Sequence, residues 1–256
     1  MRGISSTRAT QVLGSFTALF VVVTVVMGLW VTPADEVQQD AVRLLYLHVP
    51  TAWVAMYLAF GVTTLASVLF LIPRTSSRFW DLIAGAAAEI GVLFLALTLV
   101  LGSVWGRSTW GVWWTWDARL TSTAVLLLLF VGYLALRRLE GDPQAVAKRA
   151  AVAAIVSFLQ VPIVYKSVEW WRTLHQESSL LARCPGTKSV TCWNPSIHGS
   201  MAWTLLLGVV AFTLLFAWLL LHRFRLAWLE DQSGLRALDD LVASRRAEAA
   251  PVEVSR

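Results

Sequence analysis

In 256 residues, 57% are hydrophobic and only 14% are charged, and the mean hydropathy of +0.64 is too apolar for a soluble domain. The formal charge of +5 lies mostly in loops and tail, so membrane topology accounts for it without nucleic acid. The composition predicts an all-α, polytopic integral membrane protein. In chain order, apolar runs occupy about 11–32, 50–72, 82–104, 122–137, 150–168 and 199–221, each within or close to the roughly 17–25 residues a helix needs to cross a bilayer. The first run follows Arg2 and Arg8 but is too long for a signal peptide, and no small-residue cleavage site precedes Pro33, so it reads as a membrane anchor.

With the N-terminus inside, fourteen of the 21 Lys and Arg residues fall on the inner side and seven outside, which predicts both termini in the cytoplasm. The expected organisation is a six-span membrane domain over 1–225 and a charged, Ala-rich cytoplasmic tail over 226–256, whose last residues read as disordered. Segments of about 33–49, 105–121 and 169–198 then lie outside.

The middle outer segment, between spans three and four, is the unusual one. WGRSTWGVWWTWDARLTS sets Trp105, Trp110, Trp113, Trp114 and Trp116 beside Asp117 and Arg119. Were the segment helical, Trp110, Trp113, Trp114 and Asp117 would form one stripe at i, i+3, i+4 and i+7, a flat polarisable surface with a charge at its end. Trp30, Trp53, Trp203 and Trp218 need only be an interfacial aromatic belt, but five tryptophans in a dozen residues exceed what anchoring requires. Asp117 and Arg119 either serve this site or cap and orient span four, with Thr121 and Ser122 as alternative N-caps.

His48 and His198 close the other two outer segments, at the mouths of spans two and six and on the side of the tryptophans. Two neutral imidazoles facing an aromatic platform suit a planar metal macrocycle, haem being the natural candidate, with both as axial ligands to its iron. Arg43, Arg107, Arg119 and Arg172 are the candidate partners for its propionates. His175 reads as a spare ligand or a surface residue, and His222, on the inner side, is left out. A lone boundary histidine is often just an interfacial hydrogen-bonding residue, so the convergence carries the reading.

Glu89, inside span three among Gly85, Ala86, Ala87, Ala88 and Gly91, is expected to hydrogen-bond within the bundle or at a subunit contact. Cys184 and Cys192, on the exported side, predict a small loop-closing disulfide. No phosphate loop, zinc spacing or hydrolase elbow is present.

WGVWWTWDARLTS resembles the tryptophan-rich signature of the haem-handling proteins of cytochrome c maturation. LYLHVPTAW, VPIVYKSVEWWRTLHQ and SIHGSMAW resemble specifically the CcmC family, the similarity running from Arg43 to Trp203. Gly199 stands where the family's pattern has proline, and the cysteine-bearing insert is outside that pattern. The resemblance implies six spans, an extracytoplasmic site for haem b in the bacterial inner membrane, His48 and His198 as the matching histidines, and delivery of haem to the chaperone CcmE. It also implies association with CcmA, CcmB and CcmD subunits, a partner rather than this chain hydrolysing ATP. The competing readings are a haem lyase of the CcsA or CcmF type, a transporter moving haem through the bilayer, and a purely structural membrane subunit.

Overall fold

The computed structural model describes residues 7–176, 181–183, 191–193 and 197–248. Among these, six helical stretches are long and apolar enough to cross a membrane: Arg8–Val31, Asp40–Leu71, Arg78–Trp110, Ala118–Leu136, Pro143–Trp170 and Gly199–Arg245. They match the six expected spans. The only strands among the described residues are β1 (Leu181–Arg183) and β2 (Thr191–Trp193), a short antiparallel ladder. Cys192 pairs with Ala182 there through its backbone; Cys184 lies outside the described residues, and with it the expected disulfide.

The helix ends follow from local chemistry. Thr7 caps α1 (Arg8–Val26), and Asp142 caps α6 (Pro143–Phe158), accepting from the Ala145 N–H at 2.8 Å with proline at the first helical position. Along α1, the hydroxyls of Thr17 and Thr24 return to the carbonyls of Leu13 and Phe20 at 2.8 Å, which satisfies both in an apolar environment. Span two comprises α2 (Leu45–Trp53), a π turn (Val54–Ala59) and α3 (Phe60–Leu71). Pro50 in α2 lacks the N–H that would bond the Tyr46 carbonyl, and the wide turn follows within one helical repeat. Gly208 leaves room for that region, since a Cβ there would stand 3.1 Å from Pro50 Cγ and 3.2 Å from the Tyr46 oxygen. Span five is broken at Leu159 into α6 and α7 (Gln160–Trp170), where Pro162 withholds the next N–H.

α4 (Arg78–Trp110) is the hub, packed by α2, α3, α5 (Ala118–Leu136) and α8 (Gly199–Glu248), with α1 on the outside of α8 and α7 on the outside of α5. The core centres on Phe60 and Phe130, stacked at 3.6 Å, with Val54, Ala59, Leu95 and Leu126 around them. α8 continues beyond Leu226 to Glu248, so the described part of the expected tail is helix; Arg78 pairs with Asp231 at 2.8 Å and fastens its first turns to α4.

The tryptophan segment departs from the helical stripe. α4 already carries Trp105 and Trp110, then ends at Gly111, whose φ of 78° is the left-handed stop that favours glycine. Residues 112–117 are irregular until α5 begins. Trp113, Trp114 and Asp117 therefore do not continue the face of Trp110.

Candidate functional site

The beginnings of α2, α5 and α8 and the ends of α4 and α7 meet at one end of the bundle around a mostly apolar cavity of about 580 Å³, within the range of about 300–1,000 Å³ common for ligand pockets. His48 enters it from α2. Its ring lies edge-on to Trp105 at 5.7 Å and beneath Gly102 of α4, where a Cβ would stand only 2.9 Å from the imidazole Cε1. The hydroxyl of Thr51 donates to the His48 carbonyl at 2.7 Å, and the Thr98 hydroxyl of α4 lies 3.0 Å from Thr51, tying this turn of α2 to α4. The Nδ1 of His48 is buried and has no hydrogen-bond partner among the described residues, a costly arrangement unless the nitrogen is meant for something else.

Opposite His48 is His175, at a ring-centre separation of 6.4 Å. It follows α7 in a short turn, where its N–H donates to the Thr173 hydroxyl at 3.1 Å. Its ring Nδ1 stands 2.7 Å from the Gln176 carbonyl, which can only accept; Nδ1 therefore carries the proton and Nε2 keeps its lone pair. Burial, and then the nearby Arg119 cation, pull the His175 pKa down to about 4, so the ring is neutral at physiological pH. Gln38 spans the mouth, accepting from the Trp105 indole N–H at 2.8 Å and donating to the Gln176 side chain at 3.5 Å.

Of the five tryptophans, Trp105, Trp110 and Trp114 line the cavity, whereas Trp113 and Trp116 are 59% and 82% exposed and turn away. Trp53, expected in the aromatic belt, lines it too and donates to Thr213 of α8 at 3.1 Å. Among the candidate arginines only Arg119 lines the cavity; it donates to the Val164 and Tyr165 carbonyls at 2.5 and 3.4 Å. Arg43 is engaged by Asp40 and the Gly28 carbonyl, and Arg107 by the Gly111 carbonyl. Asp117 is buried, caps α5 and does not line the cavity. His198 is exposed just before α8 and lies outside the lining, so the imidazole brought to His48 is that of His175.

Gln38, Gly102 and Tyr57 are lining residues that reading the sequence missed, because nothing local marks them. His175 did carry a signal: VPIVYKSVEWWRTLHQ holds it as its last residue but one.

With the histidine pair and its tryptophan walls in view, the family model described as heme exporter protein C matches residues 4–238. The chain belongs to the heme exporter protein C family. The heme exporter protein C of Bradyrhizobium diazoefficiens is 39% identical over 229 residues, covering 88% of this chain and 82% of that protein. Those of Haemophilus influenzae and Escherichia coli K12 are 36% and 34% identical, covering 87% and 85% of this chain and 89% and 86% of theirs. Membership in the heme exporter protein C family and the six apolar helices agree on a multi-pass membrane protein.

Proposed function

We propose that this protein handles haem for cytochrome c biogenesis, taking haem b as cargo into the cavity between His48 and His175 and presenting it on the extracytoplasmic face of the bacterial inner membrane. The names of its relatives support the haem and the pathway. The observation that carries the site is the separation of the two imidazoles. Metal–nitrogen bonds of about 2 Å, plus about 1 Å from each nitrogen to its ring centre, put two imidazoles on opposite sides of one metal about 6 Å apart. His48 and His175 stand at 6.4 Å.

Each residue has a part. His48 and His175 supply neutral nitrogens, Trp105, Trp110 and Trp114 wall in the macrocycle, and Arg119 offers the one lining guanidinium to a propionate. Bound haem supplies the redox and coordination chemistry; the chain binds, orients and releases. The acceptor is a CcmE-type chaperone, reached through the Gln38 and Gln176 mouth, and the chain works with CcmA, CcmB and CcmD-type subunits, both its termini in the cytoplasm.

Purified full-length protein, loaded with haem in detergent, tests this. His48→Ala and His175→Ala are each expected to weaken haem binding about 100-fold or to shift its visible absorbance away from that of a two-histidine complex, while His198→Ala leaves both unchanged. The opposite pattern, with His198→Ala disrupting the spectrum and His175→Ala silent, would restore His198 as the second ligand.

A further inference from the structure

Asp117 is the one residue of the tryptophan segment that is buried, polar and yet turned away from the cavity. Its Oδ1 accepts from the N–H groups of Arg119 at 2.8 Å and Leu120 at 3.3 Å, the first turn of α5. Its Oδ2 accepts from the Leu174 N–H at 2.8 Å, 57 residues further along the chain and immediately before His175. Burial works against the carboxylate charge, but the Thr173 hydroxyl and the N–H groups of Leu174, Leu120 and Arg119 outweigh it and keep the Asp117 pKa below the ordinary value. Among the described residues, His175 hydrogen-bonds to Thr173 and Gln176, both within two residues, Gln38 reaches the Gln176 side chain at 3.5 Å, and Leu174 is 54% exposed.

We propose that Asp117 is a positioning residue: one carboxylate holds the start of α5 and the backbone of Leu174 together, and so sets where His175 stands opposite His48, without touching the haem. This rests on the His48 and His175 reading. A carboxylate is needed because it alone offers two acceptor oxygens facing two different donors. Asparagine would turn an N–H₂ toward one of them, and serine has a single oxygen that can cap α5 but not reach Leu174 as well. Supports of this kind around a metal-bound histidine commonly contribute about 10–100-fold in affinity.

The test is Asp117→Ser and Asp117→Asn in the full-length chain, with His175→Gly alongside, each loaded with haem and titrated with free imidazole. Asp117→Ser is expected to keep the helical content and thermal midpoint of the parent, to lose about 10–100-fold in haem affinity, and to regain the parental spectrum when imidazole is added, as His175→Gly does. Asp117→Asn is expected to show the same loss should the serine variant fold poorly. Parental affinity and spectrum in both Asp117 variants, or a loss that imidazole does not restore, overturn the proposal. A parental spectrum in His175→Gly overturns the ligand reading itself, and the two failures are thereby distinct.

Discussion

The two ends of the bundle solve the problem of polar groups near lipid in opposite ways. At the end away from the cavity, charges meet charges. Asp81, only 3% exposed, is gripped by Arg78 and by Arg137 at 2.5 Å, Arg223 of α8 pairs with Glu89 at 2.9 Å, and Arg78 reaches on to Asp231. Glu89, expected to bond within the bundle or at a subunit contact, is thus an intrachain partner joining α4 to α8. At the cavity end the lining holds neutral imidazoles, indoles and one arginine satisfied by backbone carbonyls. A network of mutually paired ions fixes helices, and among the described residues it leaves one buried guanidinium nitrogen, Arg223 Nη1, without a hydrogen bond. A wall of neutral donors and apolar rings is less self-sufficient, and the unpartnered Nδ1 of His48 marks where it is incomplete.

That contrast can be broken experimentally, beginning with the largest effect. Asp81→Ala removes the acceptor shared by Arg78 and Arg137 and leaves a largely buried guanidinium unpaired, which is expected to cost about 3–5 kcal/mol. The thermal midpoint in detergent should fall sharply, while the haem spectrum of the protein that remains folded should not change. A spectral change at unaltered stability would erase the division between the ends.

Gly102→Ala acts in the reverse sense. A methyl group there meets the His48 Cε1 at 2.9 Å, so the ring must move and haem affinity should fall about tenfold or more. The same change gains up to about 1 kcal/mol of helix propensity, so the midpoint should hold or rise. Unchanged haem binding would show that the site does not need the ring where it lies.

The smallest effect is on pH. The His175 pKa is lowered to about 4 from an ordinary value of about 6.5. Because the native ring holds fewer protons than the unfolded one, its contribution to stability is complete above about 6.5 and declines as pH falls toward 4. Protons compete for its Nε2 only near the lower value. Haem uptake by the unloaded protein is therefore expected to stay flat from pH 7.5 to about 5 and to weaken only below that. A midpoint near 6.5 would mean that the ring is solvated and that Arg119 does not act on it.

Hydropathy, composition and four short motifs were enough to read the six spans and the family, because membrane spans need long apolar runs and each motif is contiguous. What stayed illegible depended on contacts between distant residues. His175 reads in the sequence as a spare ligand or a surface residue and His198 as the ligand, yet the ring 6.4 Å from His48 is that of His175, whose neighbour Leu174 is bonded to Asp117. The tryptophans likewise divide into lining and exposed ones because Gly111 ends α4 after Trp110, where a periodic reading carries the helix on. The sequence by itself determined which chemistry gathers at this end of the membrane. The tertiary structure decided which side chains face one another there, since a hydrogen bond across 57 residues leaves no trace in local periodicity or residue type.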